Sequence, residues 1–227
     1  MTMFHLEREL RRTNDPHDEE RADQIAVMLK GRGKDVSLPV AESRVRRPFS
    51  SEEKEVLAKE GLTAVYPFTG KTIADQIEEG RKFRYMASSD NNSLVAVRSI
   101  IGDVTVDPRP NKFFLPKSNN STLDQLLEMV AEYSYKLQRM LKTDSVEAIL
   151  GEAPDYTEIA FAHLDKTGER FFGEKYDYNY AGTKTPTVGR HVASVGHFVV
   201  DYGLGVVDWD RGHGDGGVFA VPLVVAK

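Results

Sequence analysis

The sequence predicts an α+β fold in which helices precede a small, mainly antiparallel sheet. The first observation behind this prediction is a helical period, because apolar residues recur about every 3.6 residues between positions 122 and 142. The second is that this period disappears after Phe171. Three short apolar runs follow, at residues 191–200, 204–209 and 218–225, and Gly- or Asp-rich turns separate them. Such an arrangement is typical of a β-meander whose last strand closes the sheet.

The helical and extended segments divide the chain into two regions. We assign residues 1–82 to a helical N-terminal region and residues 83–227 to a second domain that carries the predicted sheet. Start and stop signals support this division, since capping residues precede the helices and glycines follow them. The predicted elements of the first region are a helix at 16–31, a capped helix from Ser50 to Gly61, a strand at 62–68, and a short helix that Thr69 caps and that ends near Gly80.

Two helices are predicted at the start of the second domain. Ser121 is expected to cap the helix at 122–142. Asp155, with Glu158 three residues later, is expected to begin another helix that stops at Gly168. The extended segments predicted before these helices are 83–87, 94–101, 104–106 and 113–115, with a hairpin loop at 88–93.

The composition restricts the classes of function. Hydrophobic residues make up 40% of the 227 residues and charged residues 29%, a balance that can bury a core. The net charge is −5 and no dense basic stripe is present, so we expect no nucleic-acid partner. The short basic cluster of Arg44, Arg46 and Arg47 is interpreted as a solvated turn. The chain has no cysteine, which excludes disulfides, thiolate metal sites and cysteine nucleophiles.

No segment of the sequence has the pattern of a targeting or membrane element. The first twelve residues are charged throughout and lack an apolar run, so we expect no signal peptide. No apolar run approaches the roughly 20 residues that span a bilayer, so we expect no membrane insertion. The expected location is the cytoplasm, or a particle assembled there, and the oligomeric state is left open.

The motifs that suggest catalysis are incomplete. Gly70-Lys71-Thr72 resembles the end of a phosphate-binding loop, but Val65 stands where that loop needs a glycine, so a polar helix N-terminus is predicted. Ser194 lies in a strand-like run without the Gly-x-Ser-x-Gly pattern of a hydrolase. Asp155 and Glu158 are explained as a helix cap.

Acidic residues and histidines in the C-terminal segment suggest a metal site. The stretch from Asp208 to Asp215 has the alternating acidic spacing of a calcium loop, but no glutamate follows it. His197 and His213 could join these aspartates around zinc, although no histidine pair has a spacing that fixes such a geometry. We therefore assign no catalytic residue, metal site or cofactor, and keep a metal-dependent hydrolase as an alternative.

Tyrosines alternate with polar residues between positions 176 and 180. Tyr176, Tyr178 and Tyr180 are separated by Asp177 and Asn179. Two interpretations stay open. The segment is either a recognition surface, for which tyrosine is well suited, or a half-buried edge strand.

The segment from Val192 to Ala226 contains no Lys, Glu or Gln. Residues that a β-scaffold needs, such as Val195 and Trp209, interleave there with small, acidic, aromatic and apolar residues that contribute nothing to a strand pattern. We interpret the second set as candidate ligand-binding positions. They are His197, Val199, Val200, Asp201, Tyr202, Asp208, Asp210, His213, Asp215 and Gly216.

This interleaving resembles the variable C-terminal region of diversity-generating retroelement variable proteins, which have a C-type lectin-like fold. In that family, adenine-specific mutagenesis scatters residue types that exclude Lys, Glu and Gln over a fixed scaffold. The resemblance covers residues 111–227 at most, and its specific part is the segment 192–227. It implies a C-type lectin-like domain of two helices and a small sheet, whose diversified surface patch binds a ligand, expected to be a protein.

The resemblance implies recognition without chemistry, so we expect that the chain is not an enzyme. The acidic bias of the candidate positions suggests a polar or basic partner surface, with contacts that weaken with salt. Besides the hydrolase, a structural or assembly protein stays open as an alternative, in which the charged N-terminal helices make oligomer contacts.

Overall fold

The fold is taken from a computed structural model that describes residues 44–87 and 93–227. The helix expected at 16–31, and residues 88–92 of the expected hairpin loop, lie outside the described residues. Within the described residues, no helix is both long and apolar enough to cross a membrane.

Helices and strands alternate irregularly along the described chain. The helices are α1 (Ser51–Lys59), α2 (Ile73–Glu78), α3 (Ser93–Ala96), α4 (Pro110–Phe113), α5 (Leu123–Leu141) and α6 (Ala153–Thr167). The strands are β1 (Ala64–Thr69), β2 (Phe83–Met86), β3 (Ile101–Val106), β4 (Val146–Ile149), β5 (Tyr180–Pro186), β6 (His191–Val199), β7 (Gly203–Asp210), β8 (Val218–Phe219) and β9 (Leu223–Ala226).

The strands form two mainly antiparallel sheets, which confirms the α+β class. One sheet has four strands in the order β1-β3-β9-β4, all antiparallel. The other has five strands in the order β2-β7-β6-β5-β8. In the five-stranded sheet β5, β6 and β7 are antiparallel, whereas the edge strands β2 and β8 pair in parallel with β7 and β5.

Two buried clusters connect the helices to the sheets. The larger cluster contains Tyr156 and Ile159 of α6 together with side chains of both sheets, for example Val104 of β3 and Val195 of β6. The smaller cluster contains the apolar face of α5, which packs on β4, β9 and Trp209. Because α6 buries side chains against both sheets, it joins them into one body.

The two long helices are where the sequence predicts them, with shifted starts. Thr122 caps α5 by accepting a hydrogen bond from the Gln125 backbone amide, so the cap lies one residue after the expected Ser121. Helix α6 begins at Ala153, and its N-cap is Glu152. The prediction that α6 starts at Asp155 is therefore wrong by two residues, because Asp155 occupies the third helical position and accepts from the Glu152 amide.

Three shorter predictions are corrected by the structure. Residues 94–101 form most of α3 and a connection to β3 instead of a strand, and Ile100 in that connection donates its amide to the Asp155 carboxylate. Phe113 ends the helical turn α4, which begins at Pro110, a residue suited to a first helical position. Thr72 caps α2, so the prediction that Thr69 caps this helix is wrong. The cap at Thr72 agrees with the polar helix N-terminus predicted at Gly70-Lys71-Thr72.

The C-terminal apolar run does not form one strand. It divides at residues 220–222, so β8 joins the five-stranded sheet and β9 lies between β3 and β4 in the other sheet. The closing strand of the predicted meander therefore belongs to a different sheet. Strand β1, which falls in the expected N-terminal region 1–82, pairs with β3 in the same sheet as β9.

Two buried carboxylates of α6 bind backbone groups of the neighbouring segments. Asp155 is fully buried and accepts hydrogen bonds from the amides of Ile100 and Glu152, at 2.8 and 2.7 Å, and from the Arg44 guanidinium at 2.5 Å. Glu158, one turn later, accepts from the amide and hydroxyl of Thr69 and from the Ser99 hydroxyl. Burial raises the pKa of both carboxyl groups.

We expect Asp155→Ala to lower the free energy of unfolding by about 3 kcal/mol, because it leaves a buried amide and a partly buried guanidinium without their acceptor. Urea denaturation followed by circular dichroism measures this change. Asp165→Ala is the matched control, since Asp165 lies on the same helix in a solvent-facing pair with Arg81, which is worth about 1 kcal/mol or less. Equal losses in the two variants would contradict the role given to Asp155.

Candidate ligand-binding surface

The β6–β7 hairpin separates the candidate positions into two groups. His191 pairs with Asp210 at one end of the hairpin, and Val199 pairs with Gly203 at the other. At a rise of about 3.3 Å per residue, these ends are roughly 26 Å apart. His197, Val199, Val200, Asp201 and Tyr202 lie at the tip, whereas Asp208, Asp210, His213, Asp215 and Gly216 lie at the opposite end.

Aromatic side chains surround one arginine near the hairpin tip. Strand β2 pairs in parallel with β7, and this pairing brings Arg84 and Tyr85 next to the tip. We call these two residues, with Tyr178, Tyr180, His197 and Tyr202, the Arg84 patch. Tyr202 is 52% exposed and Tyr178 is 37% exposed, while the other four side chains are half-buried. The patch therefore faces solvent over a partly buried base.

The guanidinium of Arg84 contacts three side chains of the patch. Its central carbon lies 4.7 Å from the ring centroid of Tyr85 and 5.5 Å from that of Tyr202, within the range of cation–π contacts. Its Nη1 atom is 3.1 Å from His197 Nε2 and donates to it, because a guanidinium has no acceptor atom. These contacts fix the orientation of the guanidinium.

An irregularity in β6 aims His197 at Arg84. The pairing of β6 with β7 shifts between Gly196 and Val199, and His197 has φ of 51°, in the left-handed region. Gly196 is needed beside it, since a Cβ atom there would lie 2.2 Å from the Asn179 carbonyl oxygen. The imidazole then lies 5.0 Å from the Tyr178 ring, with Nδ1 3.4 Å from the Tyr180 hydroxyl.

The environment of His197 favours its neutral form. Partial burial lowers the pKa of the imidazole below its ordinary value of 6.5, and the positive charge of Arg84 lowers it further. A neutral ring can accept the Arg84 hydrogen bond at Nε2, whereas an imidazolium cannot. At neutral pH His197 therefore holds Arg84 without neutralising its charge.

Neither of the two interpretations left open by the sequence fits all three alternating tyrosines. Tyr176 is buried against Phe113 and donates its hydroxyl to the Pro108 carbonyl oxygen at 2.7 Å. Tyr180 begins β5, and Tyr178 precedes it in a turn with φ of 51°. Core packing thus accounts for Tyr176, while Tyr178 and Tyr180 belong to the exposed patch.

The turn between β6 and β7 extends the patch with further exposed residues. Val200 is 66% exposed, Asp201 and Tyr202 are exposed, and Val199 is half-buried. Gly203 ends the turn with φ of 97°, and a Cβ atom there would lie 2.3 Å from the Lys82 carbonyl oxygen. This close approach lets the turn pack directly against the chain before β2.

The residues at the opposite end form a well-ordered loop between β7 and β8. The Arg190 guanidinium lies 2.5 Å from Asp210 Oδ2, and His213 Nδ1 lies 3.1 Å from the same oxygen. The loop backbone is fixed as well, because Trp209 Nε1 donates to the His213 carbonyl oxygen and the Asn120 amide donates to that of Asp215. Asp208, His213, Asp215 and Gly216 are exposed, and Asp210 is half-buried.

The loop end does not have the arrangement of a metal centre. Within residues 44–87 and 93–227, no group of three or more His, Asp or Glu side chains converges closely enough to hold a metal ion. His197 and His213, the two histidines considered for zinc, lie in the two separate groups. The carboxylate of Asp210 accepts from Arg190 and from the Gly212 amide, and these contacts lower its pKa.

One further surface depression lies on α5. It has a volume of about 350 Å³ and is lined by Tyr135, Gln138, Arg139, Lys142, Thr143 and Asp144. Arg139 stacks on Tyr135 at 5.8 Å, as Arg84 does on its tyrosines. Both Tyr135 and Arg139 are exposed, so the pair lacks the partly buried base of the Arg84 patch.

Arg84 and Tyr85 were not among the residues selected from the sequence. Their segment fits a strand pattern, and nothing in it marks a contact with His197, which lies 113 residues later. Only the parallel pairing of β2 with β7 brings them together. No protein-family model, curated protein sequence or solved structure matches this chain.

We expect Arg84→Gln to raise the pKa of His197 towards 6.5, because the substitution removes a neighbouring positive charge. A proton NMR titration of the imidazole measures this value. Arg139→Gln, which removes a charge from a tyrosine-stacked arginine elsewhere, should leave the pKa of His197 unchanged. If both variants gave the wild-type value, the contact between Arg84 and His197 would be absent in solution.

Proposed function

We propose that this chain is a ligand-binding protein, that its ligand is a protein, and that the Arg84 patch with the adjoining hairpin turn is the surface that binds it. The observation that carries the proposal is a solvent-facing cluster in which Tyr85, Tyr202 and His197 contact one guanidinium. Tyr178 and Tyr180 extend this cluster by packing against His197. Tyrosine and arginine are enriched among the residues that contribute most to protein–protein binding.

The patch also has the rigidity that recognition requires. Its members come from β2, β5, β6 and the turn before β7, whose strands are hydrogen-bonded in one sheet. Stacking and hydrogen bonds already fix Arg84 and His197 in the free protein, so little conformational entropy is lost on binding. The exposed Val200 and Tyr202 add apolar area at the edge of the same surface.

We further propose that the scaffold is C-type lectin-like and that its C-terminal segment is diversified, as in diversity-generating retroelement variable proteins. Two features support this proposal. Two long helices precede the antiparallel strands β5, β6 and β7, and the candidate variable positions lie at the ends of one hairpin. Exposed side chains there can be exchanged without disturbing the buried clusters.

Sequencing the locus that encodes this chain, with its downstream flank, tests the diversification. We expect a near-copy of the segment encoding residues 192–227 that differs mainly at adenines, with a reverse transcriptase gene nearby. Differences should fall on codons such as those of Tyr202, Asp208 and His213, and codons of buried residues such as Val195 and Val206 are the internal control. A locus with no such copy, and with identical codons in independent clones, would refute diversification.

Selection from a phage library of random 12-residue peptides tests whether the patch binds proteins. Peptides enriched on the wild-type protein should bind Tyr202→Ala at least about tenfold more weakly, because a central aromatic residue of a binding surface carries much of the affinity. Tyr135→Ala is the matched control, since Tyr135 is also exposed and stacked on an arginine. Peptides that lose affinity for the Tyr135 variant but not for the Tyr202 variant would place the site on α5.

A further inference from the structure

The charge of Arg84 is unusual among the arginines of this protein. Eight of the eleven arginines in residues 44–87 and 93–227 lie within ion-pair distance of a carboxylate. The exceptions in that part of the chain are Arg84, Arg139 and Arg170, and each of them stacks on an aromatic ring. Among the arginines of these two ranges, only Arg84 both lacks a carboxylate partner there and lies in the proposed binding surface.

Arg84 differs from the other two in its surroundings. Arg139 is exposed, so water solvates its charge. Arg170 covers Phe198, and its Nε atom is buried without a hydrogen-bond partner. Arg84 is half-buried between two tyrosines, and within the described residues its only side-chain hydrogen bond goes to the neutral ring of His197. Partial burial without a counter-charge costs free energy, which a carboxylate would recover.

We infer that Arg84 binds a carboxylate of the protein ligand, from an Asp or Glu side chain, and that it selects this ligand by its charge. The inference rests on the proposed function. A guanidinium has five N–H donors, and the bond to His197 uses one, so the donors on Nη2 and Nε are left to form a bidentate pair with a carboxylate. Tyr202 and Val200 then contact apolar atoms beside the acidic group.

The charges around Arg84 favour a singly charged partner group. The exposed Lys82 adds a second positive charge before β2, and the exposed Asp201 adds a negative charge in the turn beside Tyr202. One carboxylate balances the resulting excess of one positive charge, whereas a doubly charged phosphate ester exceeds it. His197 acts as a positioning residue, since it holds Nη1 and leaves Nη2 and Nε for the ligand.

NMR titrations with small probes test this inference. Phenylacetate carries a carboxylate beside a ring, phenyl phosphate carries a phosphate ester, and benzyl alcohol is the uncharged analogue. At constant ionic strength and neutral pH, phenylacetate should shift the Arg84 Nε–H and Tyr202 amide signals to saturation. Its affinity should fall about tenfold or more in Arg84→Gln, since charge-assisted hydrogen bonds are lost, and stay unchanged in Arg139→Gln.

Three outcomes would overturn the inference. They are equal binding of benzyl alcohol and phenylacetate, a clear preference for phenyl phosphate, and an equal loss of affinity in the Arg139 variant. The peptides selected from the phage library distinguish a failure of the carboxylate inference from a failure of the proposed protein-binding function. Some peptides could need Tyr202, lack acidic residues and bind the Arg84→Gln variant as tightly as the wild type. Such peptides would refute carboxylate binding by Arg84 but would still support the proposed binding surface. Peptides that need neither residue would refute both.

Discussion

The fold depends on the burial of two carboxylates on one face of α6. Asp155 and Glu158 lie one turn apart, and together they accept hydrogen bonds from Arg44, Thr69, Ser99 and Ile100, which belong to segments beside the four-stranded sheet. Apolar side chains of the same helix pack on β5 and β6 of the other sheet. A buried carboxylate is costly unless its hydrogen bonds are made, so α6 has a stable place only where these segments supply their donors. Its polar side chains thereby fix one sheet relative to the other.

This arrangement determines where the Arg84 patch lies. The β6–β7 hairpin is supported by α6 on one face, and its tip reaches beyond the buried cluster, where Val200 and Tyr202 are exposed. Glycine at 196 and at 203 permits backbone approaches that no side chain would tolerate, and these approaches hold the tip against Asn179 and Lys82. The geometry of Arg84 and His197 is thus a consequence of backbone packing. A surface of this kind can change its exposed side chains while its support stays the same.

The parts of the structure that depend on local pattern could be predicted from the sequence, and those that depend on distant pairing could not. The apolar period at 122–142 predicts α5, and the runs at 191–200 and 204–209 predict the hairpin, because periodicity and turn residues are local signals. Local signals explained Asp155 and Glu158 only as a helix cap. Their burial could not be predicted, because it depends on Arg44 and Thr69, which are far away in sequence. Arg84 could not be linked to His197 for the same reason.

The charge of the proposed binding surface is the point at which the structure most changes the interpretation of the sequence. Along the chain, the candidate positions have an acidic bias that suggests a polar or basic partner surface. In space, three of their four aspartates, at 208, 210 and 215, lie at the loop end, where Asp210 already pairs with Arg190. The tip retains Asp201 but gains Arg84 from β2 and Lys82 from the residue before it, which are distant in sequence. Since the guanidinium of Arg84 is partly buried and has no carboxylate partner in the described part of the chain, we propose that its complement on a partner is a negative charge and that the two ends of the hairpin favour different partners.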